Sequence, residues 1–190
     1  MDGIFRLDEM SNITTRPACL EDLPGLTEIH NHYVIHTHIT FDVQPFTPEQ
    51  RLAWFHDHSS GSRYQLLVAT DPARGVLGYA CTGRFRPKDA YDTTVEASIA
   101  VKPGAEGRGL GTLLYQALFD AIADQDINRI VAGIAQPNVA SNALHQRFGF
   151  KPIGLFSQVG RKFGKYWDVL WVERPLRLDG IVTSSSGPGN

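Results

Sequence analysis

Residues 101–112, VKPGAEGRGLGT, place four glycines within eight residues, between two regular segments. Before this loop, apolar and β-branched residues indicate a strand over Thr94 to Val101. After it, apolar residues recur with a period of about 3.6, which predicts a helix beginning at Leu110. Glycine has no Cβ, so such a loop can bend sharply and lie close to another molecule. The pattern predicts a strand-to-helix loop that contacts a ligand.

Phosphate is the ligand that such a loop favours. Backbone N–H groups at a helix start, together with the positive end of the helix dipole, converge on one point and attract anions. Two common nucleotide motifs do not fit here. A P-loop frame from Gly104 places Leu110 where lysine is required, and the third glycine of a dinucleotide fingerprint is replaced by Thr112 or Leu114.

The rest of the chain predicts one mixed α/β unit. Thr47, with Gln50 three residues later, has the pattern of a capping box that starts a short helix. The remaining predicted elements are strands at 13–16, 64–69, 76–82, 129–134, 150–156 and 166–172, and helices at 20–34 and 138–148. No repeat or long linker divides the chain, so we expect one domain over 13–176. A mobile extension over 1–12 and a disordered tail over 177–190 are expected to flank it.

Composition excludes several classes of partner. The net charge is −2 without a block of like charges, so we expect neither nucleic-acid nor membrane binding. No stretch approaches the ~18 apolar residues of a membrane span, and the first residues do not resemble a signal peptide, so a cytoplasmic location is expected. Cys19 and Cys81 lack disulfide-framework or metal spacing, which predicts reduced thiols.

Two longer stretches resemble a known family. The first is V-x-P-x-x-x-G-x-G-x-G leading into a leucine-rich helix, and the second is Asn138-x-x-Ser141-x-x-x-His145-x-x-x-Gly149-Phe150. They are similar to the acetyl-coenzyme A motifs of the GCN5-related N-acetyltransferase (GNAT) superfamily. The segments NHYVIHTHITFD, RLAWFHDH, GYACTGRFRPKDAYDTTVEASIAV and VGRKFGKYWDV extend the resemblance over about residues 13–176. They point to the phosphinothricin and methionine sulfoximine acetyltransferase subgroup.

The resemblance implies an α/β (α+β) fold of the GNAT type, with a single mixed, mostly antiparallel twisted sheet flanked by helices and with splayed central strands. It also implies acetyl-CoA as cosubstrate, no metal, and backbone amides that hold the pyrophosphate. A strand edge would pair with the pantetheine arm, and an asparagine would contact it from the other side. The residues assigned to the coenzyme are Ile99, Ala100, Val101, Gly107, Arg108, Gly109, Leu110, Gly111, Thr112 and Asn138. Glu106 departs from the usual Gln or Arg and cannot donate to phosphate.

The implied reaction is attack of an amine on a thioester. An α-amino group has a pKa of about 8, so a base must take its proton at neutral pH. The resemblance assigns this role to Glu96, acting directly or through water, although a solvent-facing strand glutamate has the same pattern. A backbone N–H of residues 99–101 would stabilise the oxyanion. His145 would protonate the departing sulfur, unless it is a structural helix histidine.

For the acceptor, the resemblance points to Arg86, with Pro87 and Lys88 beside it and Glu96 nearby. A guanidinium can hold a carboxylate or phosphinate through two hydrogen bonds, although an exposed loop arginine without a role is the alternative. Lys162 and Asp168 also fit the subgroup pattern, but an ion pair or a turn explains them equally well. The implied protein is a homodimer acting on a small amino-acid-like amine.

Three alternatives remain open at this stage. His32 and His36 have the i, i+4 spacing of helical metal ligands, but the H-E-x-x-H pattern is absent, so a surface cluster or part of an acceptor pocket fits as well. The acceptor can instead be a peptide N-terminus, a lysine, a polyamine or an antibiotic. The protein can also be a non-catalytic acyl-CoA-binding sensor, against which the presence of Glu96 argues.

Overall fold

The computed structural model describes residues 12–58 and 61–177. The predicted mobile extension and disordered tail lie outside these residues, apart from Asn12 and Arg177. The described elements are β1 (Thr14–Pro17), α1 (Leu23–His36), α2 (Leu52–His56), β2 (Leu66–Asp71), β3 (Gly75–Arg84), β4 (Thr94–Val101), α3 (Leu110–Ala121), β5 (Arg129–Ala135), α4 (Val139–Arg147), β6 (Lys151–Lys162) and β7 (Lys165–Pro175). Short 3₁₀ turns precede α1 and α2.

Within these ranges, seven strands form one sheet in the order β1-β2-β3-β4-β5-β7-β6. Every neighbouring pair is antiparallel except β4 and β5, which run parallel. This parallel pair is in register only from Thr94 to Glu96 against Arg129 to Val131. Beyond Glu96 the two strands diverge, so the sheet has the predicted splay at its centre.

Helix α3 covers one face of the sheet. Its apolar stripe includes Leu110, Leu114 and Leu118, and none of the three is more than 2% exposed. Burying a leucine fully contributes roughly 1.5–3 kcal/mol, so this stripe is a main source of stability. The sheet residues that pack with it include Val95, Ala97, Ile130, Ala132 and Ile134. Because side chains alternate along a strand, Glu96 and Ser98 point to the opposite face.

Helices α1 and α2 cover that opposite face over β2 and β3. Leu26 and Ile29 of α1 are buried against a set formed by Leu66, Val68, Tyr79 and Cys81. The predicted capping box precedes α2: the Thr47 N–H donates to Gln50 Oε1 at 2.7 Å, and the Gln50 N–H donates to Thr47 Oγ1 at 3.3 Å. None of the helices within the described ranges has the length and apolar character needed to span a bilayer.

The β6–β7 hairpin differs from the expectation. The sequence predicts strands at 150–156 and 166–172, whereas β6 runs to Lys162 and β7 begins at Lys165. Residues 157–162 do not alternate in an apolar pattern because β6 is the edge strand and is largely exposed. Hydrogen bonding to β7, rather than burial, maintains this part of the strand.

Candidate active site

The glycine loop between β4 and α3 owes its shape to three residues with left-handed backbone. Gly104, Gly107 and Gly109 have φ values of +80°, +74° and +78°. A Cβ added at any of them would meet nothing within 4 Å, so the backbone conformation, and not crowding, requires glycine there. Gly111 is different, because a Cβ there would lie 3.0 Å from Leu144 Cδ2 of α4. It allows α3 and α4 to approach each other.

The start of α3 is open to a ligand. Gly109 is the N-cap, and no side chain of the described residues caps it. The first bond to its carbonyl comes from Leu113, so the preceding helical N–H groups lack an intrahelical acceptor. These groups face a cavity of about 270 Å³, which we call the coenzyme cavity. Of the ten residues predicted to bind coenzyme, nine line it: Ile99, Ala100, Val101, Gly107, Gly109, Leu110, Gly111, Thr112 and Asn138.

Glu106 also lines the coenzyme cavity. Its Oε2 accepts a hydrogen bond from the Gly104 N–H at 2.7 Å, so the carboxylate folds back onto its own loop. Burial, together with the Glu106 charge, raises the pKa of Tyr33, whose hydroxyl donates to Val101 O at 2.6 Å. The loop therefore places a negative charge beside donors suited to an anion.

A second cavity of about 260 Å³ occupies the splay, and we call it the central cavity. It shares Tyr33, Ile99 and Asn138 with the coenzyme cavity. The edge of β4 that faces β5 lacks register partners beyond Glu96 within the described sheet. Asn138 caps α4 by accepting the Ser141 N–H at 3.1 Å. The two cavities thus adjoin each other along a strand edge that has no neighbouring strand, where the Tyr33 hydroxyl already donates to Val101 O.

His145 lines the central cavity and is only 4% exposed. Its Nδ1 lies 2.8 Å from Ser141 O, an atom that can only accept, so Nδ1 carries the hydrogen. Burial lowers the pKa of His145, which keeps the ring neutral. Nε2 then accepts from the Tyr115 hydroxyl at 2.8 Å. Both ring nitrogens are therefore engaged inside the protein.

A third cavity of about 520 Å³ contains Glu96, and we call it the acceptor cavity. It shares Trp54, Cys81 and Ser98 with the central cavity. Burial raises the pKa of Glu96, while the positive charge of Arg86 opposes this rise. Glu96 is the last residue of β4 in register with β5, so its carboxylate lies where the splay begins.

The predicted acceptor residues Arg86, Pro87 and Lys88 lie in the exposed loop after β3. None of the three is among the residues that line the described cavities. The Arg86 guanidinium lies 4.9 Å from the Phe85 ring centroid, and its charge acts on Glu96. The loop therefore lies outside the described cavities, with Arg86 close enough for its charge to act on Glu96.

Several residues around the acceptor and central cavities were not singled out from the sequence. They are Arg51, Trp54, His58, Tyr79 and Cys81. His58 Nδ1 lies 2.7 Å from Trp54 O, and burial lowers its pKa. Burial raises the pKa of Cys81 to about 12, so this thiol stays protonated at neutral pH. Two segments that carried the resemblance contain these residues, RLAWFHDH and GYACTGRFRPKDAYDTTVEASIAV, but neither indicated their place in the site.

Lys162 and Asp168 bind different partners. Lys162 Nζ donates to Thr40 O at 2.7 Å, whereas Asp168 Oδ1 accepts from the Gln158 N–H at 2.7 Å. Lys162 is buried and holds the segment after α1 beside the central cavity, which Thr40 lines. Both contacts are structural.

The two histidines considered as metal ligands are neighbours on α1, with their rings tilted by 45°. The ring centroids of His32 and His36 are 4.8 Å apart. Among the described residues there is no group of three or more His, Cys, Asp or Glu side chains placed to hold a metal ion.

Known proteins with the same architecture cover most of the chain. It is 54% identical over 167 residues to the phosphinothricin N-acetyltransferase of Streptomyces coelicolor, spanning 87% of this chain and 98% of the relative. It is 40% identical over 164 residues to the L-methionine sulfoximine/L-methionine sulfone acetyltransferase of Pseudomonas aeruginosa, spanning 86% and 94% of the two chains. An acetyltransferase of Salmonella typhimurium, solved with its cofactor acetyl-CoA, has a TM-score of 0.82 at 36% identity, over 88% of this chain and 95% of the other.

The fold, the cleft across the splay and these relatives define an acyltransferase, and the protein is therefore an enzyme. The sequence profile of the Acetyltransferase (GNAT) family matches residues 26–150. The chain therefore belongs to the GNAT acetyltransferase family. This confirms the family and the fold predicted from the motifs, and it sets aside the non-catalytic sensor.

Proposed function

We propose that this enzyme transfers the acetyl group of acetyl-CoA to the amino group of a small amino-acid-like acceptor. The acceptor is phosphinothricin, methionine sulfoximine or a related L-amino acid. The observation that carries the proposal is that the central cavity shares lining residues with the coenzyme cavity on one side and with the cavity of the Glu96 carboxylate on the other. The names of the relatives at 54% and 40% identity support the choice of acceptor.

Acetyl-CoA supplies an activated thioester, and the backbone of this chain provides the groups that bind it. In the proposal, N–H groups from Gly107 through Thr112 hold the pyrophosphate, with Arg108 beside it in the same loop. The edge of β4 from Ile99 to Val101, which has no strand partner on this side, pairs with the pantetheine arm, and Asn138 contacts the arm from the N-cap of α4. Open space above the left-handed glycines supports this role, since a Cβ there would project toward the proposed pyrophosphate site, which we call the cradle.

Glu96 acts as the general base in this proposal. A strand rises about 3.3 Å per residue, so Ile99, where the thioester carbonyl would meet a backbone donor, is about 10 Å along β4 from Glu96. That separation leaves room for the amine and one bridging water, which favours proton transfer through water. Burial raises the pKa of Glu96 and makes it a stronger base, while the Arg86 charge favours its ionised form.

We assign His145 to positioning α4 rather than to protonating the sulfur. To give up its Nδ1 proton, the neutral ring would take the Tyr115 proton at Nε2 and leave a buried tyrosinate. Burial raises the pKa of Tyr115 well above its usual range, so that transfer is unfavourable. The contacts support the structural alternative for this histidine.

Arg86 binds the α-carboxylate of the acceptor in this proposal, and Pro87 and Lys88 shape the rim beside it. An arginine that is exposed and stacked on Phe85 can turn its planar fork toward a carboxylate without first losing a buried partner. Its action on Glu96 supports a position next to the reacting amine.

The proposed assembly is a homodimer with β6 at the interface. Ile153, Leu155, Phe156 and Val159 are each at least 50% exposed on this edge strand. Long apolar edge strands are rarely left uncovered in monomers, and a second copy is the proposed cover. Light scattering after gel filtration should give about twice the chain mass of 21.0 kDa, and Val159→Lys should shift it toward the monomer. A monomeric wild type would contradict this assembly.

A cytoplasmic location also belongs to the proposal. It is supported by Cys19 and Cys81, which are both free thiols, as is usual in reducing compartments.

An acceptor screen tests the proposed function. Purified enzyme and acetyl-CoA are combined with each L-amino acid, phosphinothricin, methionine sulfoximine, a polyamine, a peptide with a free N-terminus, a lysine peptide and an aminoglycoside. Release of free thiol measures turnover. We expect the highest kcat/KM with phosphinothricin or methionine sulfoximine. A higher value with the polyamine, either peptide or the antibiotic would overturn the acceptor class.

A further inference from the structure

We propose that Arg51 is an anion-binding residue of the central cavity, which adjoins the acceptor cavity, and that it receives the oxygen-rich end of the acceptor side chain. This inference rests on the proposed function, because it concerns the selectivity of the same site. It adds an interior cation to the rim residue Arg86. The acceptor it predicts is an amino acid whose side chain ends in an oxyacid.

Arg51 is buried, with 6% of its surface exposed, and it lines the central cavity. Its Nη1 donates to Leu26 O at 3.1 Å, and its guanidinium carbon lies 3.9 Å above the Trp54 ring centroid. Among residues 12–58 and 61–177, no carboxylate forms an ion pair with it. A buried charge without an opposite charge is costly, and a guanidinium offers five N–H donors. Arg51 therefore has an unmatched charge at the cavity wall, and its five N–H donors exceed the acceptors that Leu26 O and the Tyr79 hydroxyl provide.

The positive charge of Arg51 acts across the cavity. Burial and then Arg51 lower the pKa of His30, which keeps that ring neutral. None of the described residues that line this cavity is an Asp or a Glu. The carboxylate of Asp42, which contacts the lining residue His30, is engaged by other groups: its Oδ2 lies 2.9 Å from His30 Nε2 and accepts from Thr40 Oγ1 at 3.3 Å. The guanidinium charge is thus not cancelled from this side. An anion that enters the cavity would meet it directly.

The position of Arg51 relative to Glu96 suits the two ends of one acceptor. Cys81 and Trp54 line both the central and the acceptor cavity, and the charges of both Arg51 and Glu96 act on the Cys81 thiol. An amine held near Glu96 can therefore project its side chain past Cys81 toward Arg51. Arg86, exposed at the rim, remains for the α-carboxylate. In this arrangement Arg86 binds the α-carboxylate and Arg51 binds the oxygen-rich end of the side chain.

The test compares acceptors with different side-chain ends in wild type, Arg51→Gln and Arg51→Lys. The acceptors are L-phosphinothricin, which ends in an oxyanion, and L-norleucine, which ends in a methyl group. We expect Arg51→Gln to raise KM for phosphinothricin about 10- to 100-fold, the range for hydrogen bonds to a charged group. KM for norleucine and the Kd for acetyl-CoA should stay within about twofold. Arg51→Lys, which keeps the charge but loses the fork, should recover part of the loss.

Arg129→Gln is the matched control, because Arg129 is a partly exposed arginine outside all three cavities and pairs with Glu173 at 4.0 Å. This substitution should leave KM for phosphinothricin and KM for norleucine unchanged. An equal loss for phosphinothricin and norleucine in Arg51→Gln would overturn the proposal and leave Arg51 only the task of joining α2 to α1. An unchanged KM for phosphinothricin would overturn it as well.

Two further measurements keep the inference testable. If Arg51→Gln does not fold, the wild type decides: kcat/KM for phosphinothricin must exceed that for norleucine by about tenfold or more, and equal values overturn the proposal. Failure of the proposed function looks different, because the wild type would then acetylate neither acceptor. In that case, calorimetric binding of phosphinothricin to wild type and Arg51→Gln still decides the role of Arg51.

Discussion

The two sides of the splay are built from different chemical groups. On the coenzyme side, the groups proposed to bind the ligand belong mostly to the backbone: left-handed glycines, the N–H groups at the start of α3 and the edge of β4. On the acceptor side, the lining residues with candidate roles act through side chains, among them Trp54 of α2, Cys81 of β3 and Glu96 of β4. Backbone donors suit the phosphates of the proposed coenzyme, because they do not depend on the identity of a side chain. Substitution of side chains on the acceptor side can change which acceptor binds without disturbing the backbone donors of the cradle.

The two sides also differ in charge. The coenzyme cavity includes the carboxylate of Glu106, although its proposed ligand is a polyanion. On the other side, Arg51 lines the central cavity, Glu96 lines the acceptor cavity, and the positive charge of Arg86 acts on Glu96. If chemistry and coenzyme binding are separable in this way, substitutions on one side should leave the other intact.

Glu96→Gln should have the largest effect. It removes the proposed base but keeps the size of the side chain, so kcat should fall about 100- to 1000-fold. Calorimetry should show an unchanged Kd for acetyl-CoA, because the cradle is on the other side. Glu173→Gln is the matched control, since Glu173 is also a strand glutamate and lies opposite Val131, the residue that neighbours Glu96. Normal turnover of Glu96→Gln would contradict the base assignment.

Gly109→Val should weaken acetyl-CoA binding without affecting the acceptor side. Valine disfavours the φ of +78° and would project into the open space above the loop, so acetyl-CoA affinity should fall at least about tenfold. The control is Gly75→Val, because Gly75 has a similar φ of +70° and open space around it, but lies in the β2–β3 hairpin. Calorimetry on both folded variants separates backbone strain from loss of the cradle. Equal affinities would mean that the loop does not bind the coenzyme.

The same contrast explains what the sequence could predict. The cradle is local: a strand, a glycine loop and an amphipathic helix follow one another, so spacing alone indicates a phosphate site. The capping box at Thr47 and Gln50 is local too, and it forms as expected. The acceptor pocket is not local, because Trp54 and Cys81 come from separate elements that meet only when α2 packs on β3. No spacing in the sequence indicates that meeting.

Arg51 and β6 show two other features that the sequence could not predict. Arg51 has the pattern of an exposed helix-start residue, and only the tertiary contact with Leu26 and Trp54 reveals that it is buried. The second half of β6 lacks an apolar alternation because it is held by hydrogen bonds at the sheet edge. A period in the apolar residues indicates which side chains are buried, so it does not predict a strand whose side chains are mostly exposed.

Arg86→Ala tests the rim of the acceptor side. KM for an amino-acid acceptor should rise about tenfold through loss of a charge-assisted hydrogen bond, with KM for acetyl-CoA unchanged. The pH profile should move as well. Glu96 must be ionised, so activity is lost as the pH falls through its pKa, which burial raises and Arg86 lowers. Without Arg86 the pKa rises further, and the acidic limb of kcat/KM should shift to higher pH. An effect confined to the coenzyme would refute this assignment.

Glu106→Gln should have the smallest effect and the opposite sign. Glutamine keeps a side-chain oxygen that can accept the Gly104 N–H, so the loop should hold its shape. Loss of the negative charge beside the phosphate donors should tighten acetyl-CoA binding about two- to fivefold at low salt, and the gain should shrink as salt screens the charges. Titration calorimetry at two salt concentrations measures both changes. Because Glu106 lines the cavity but takes no part in the proposed chemistry, an unchanged affinity at low salt would mean that the phosphates lie away from this loop.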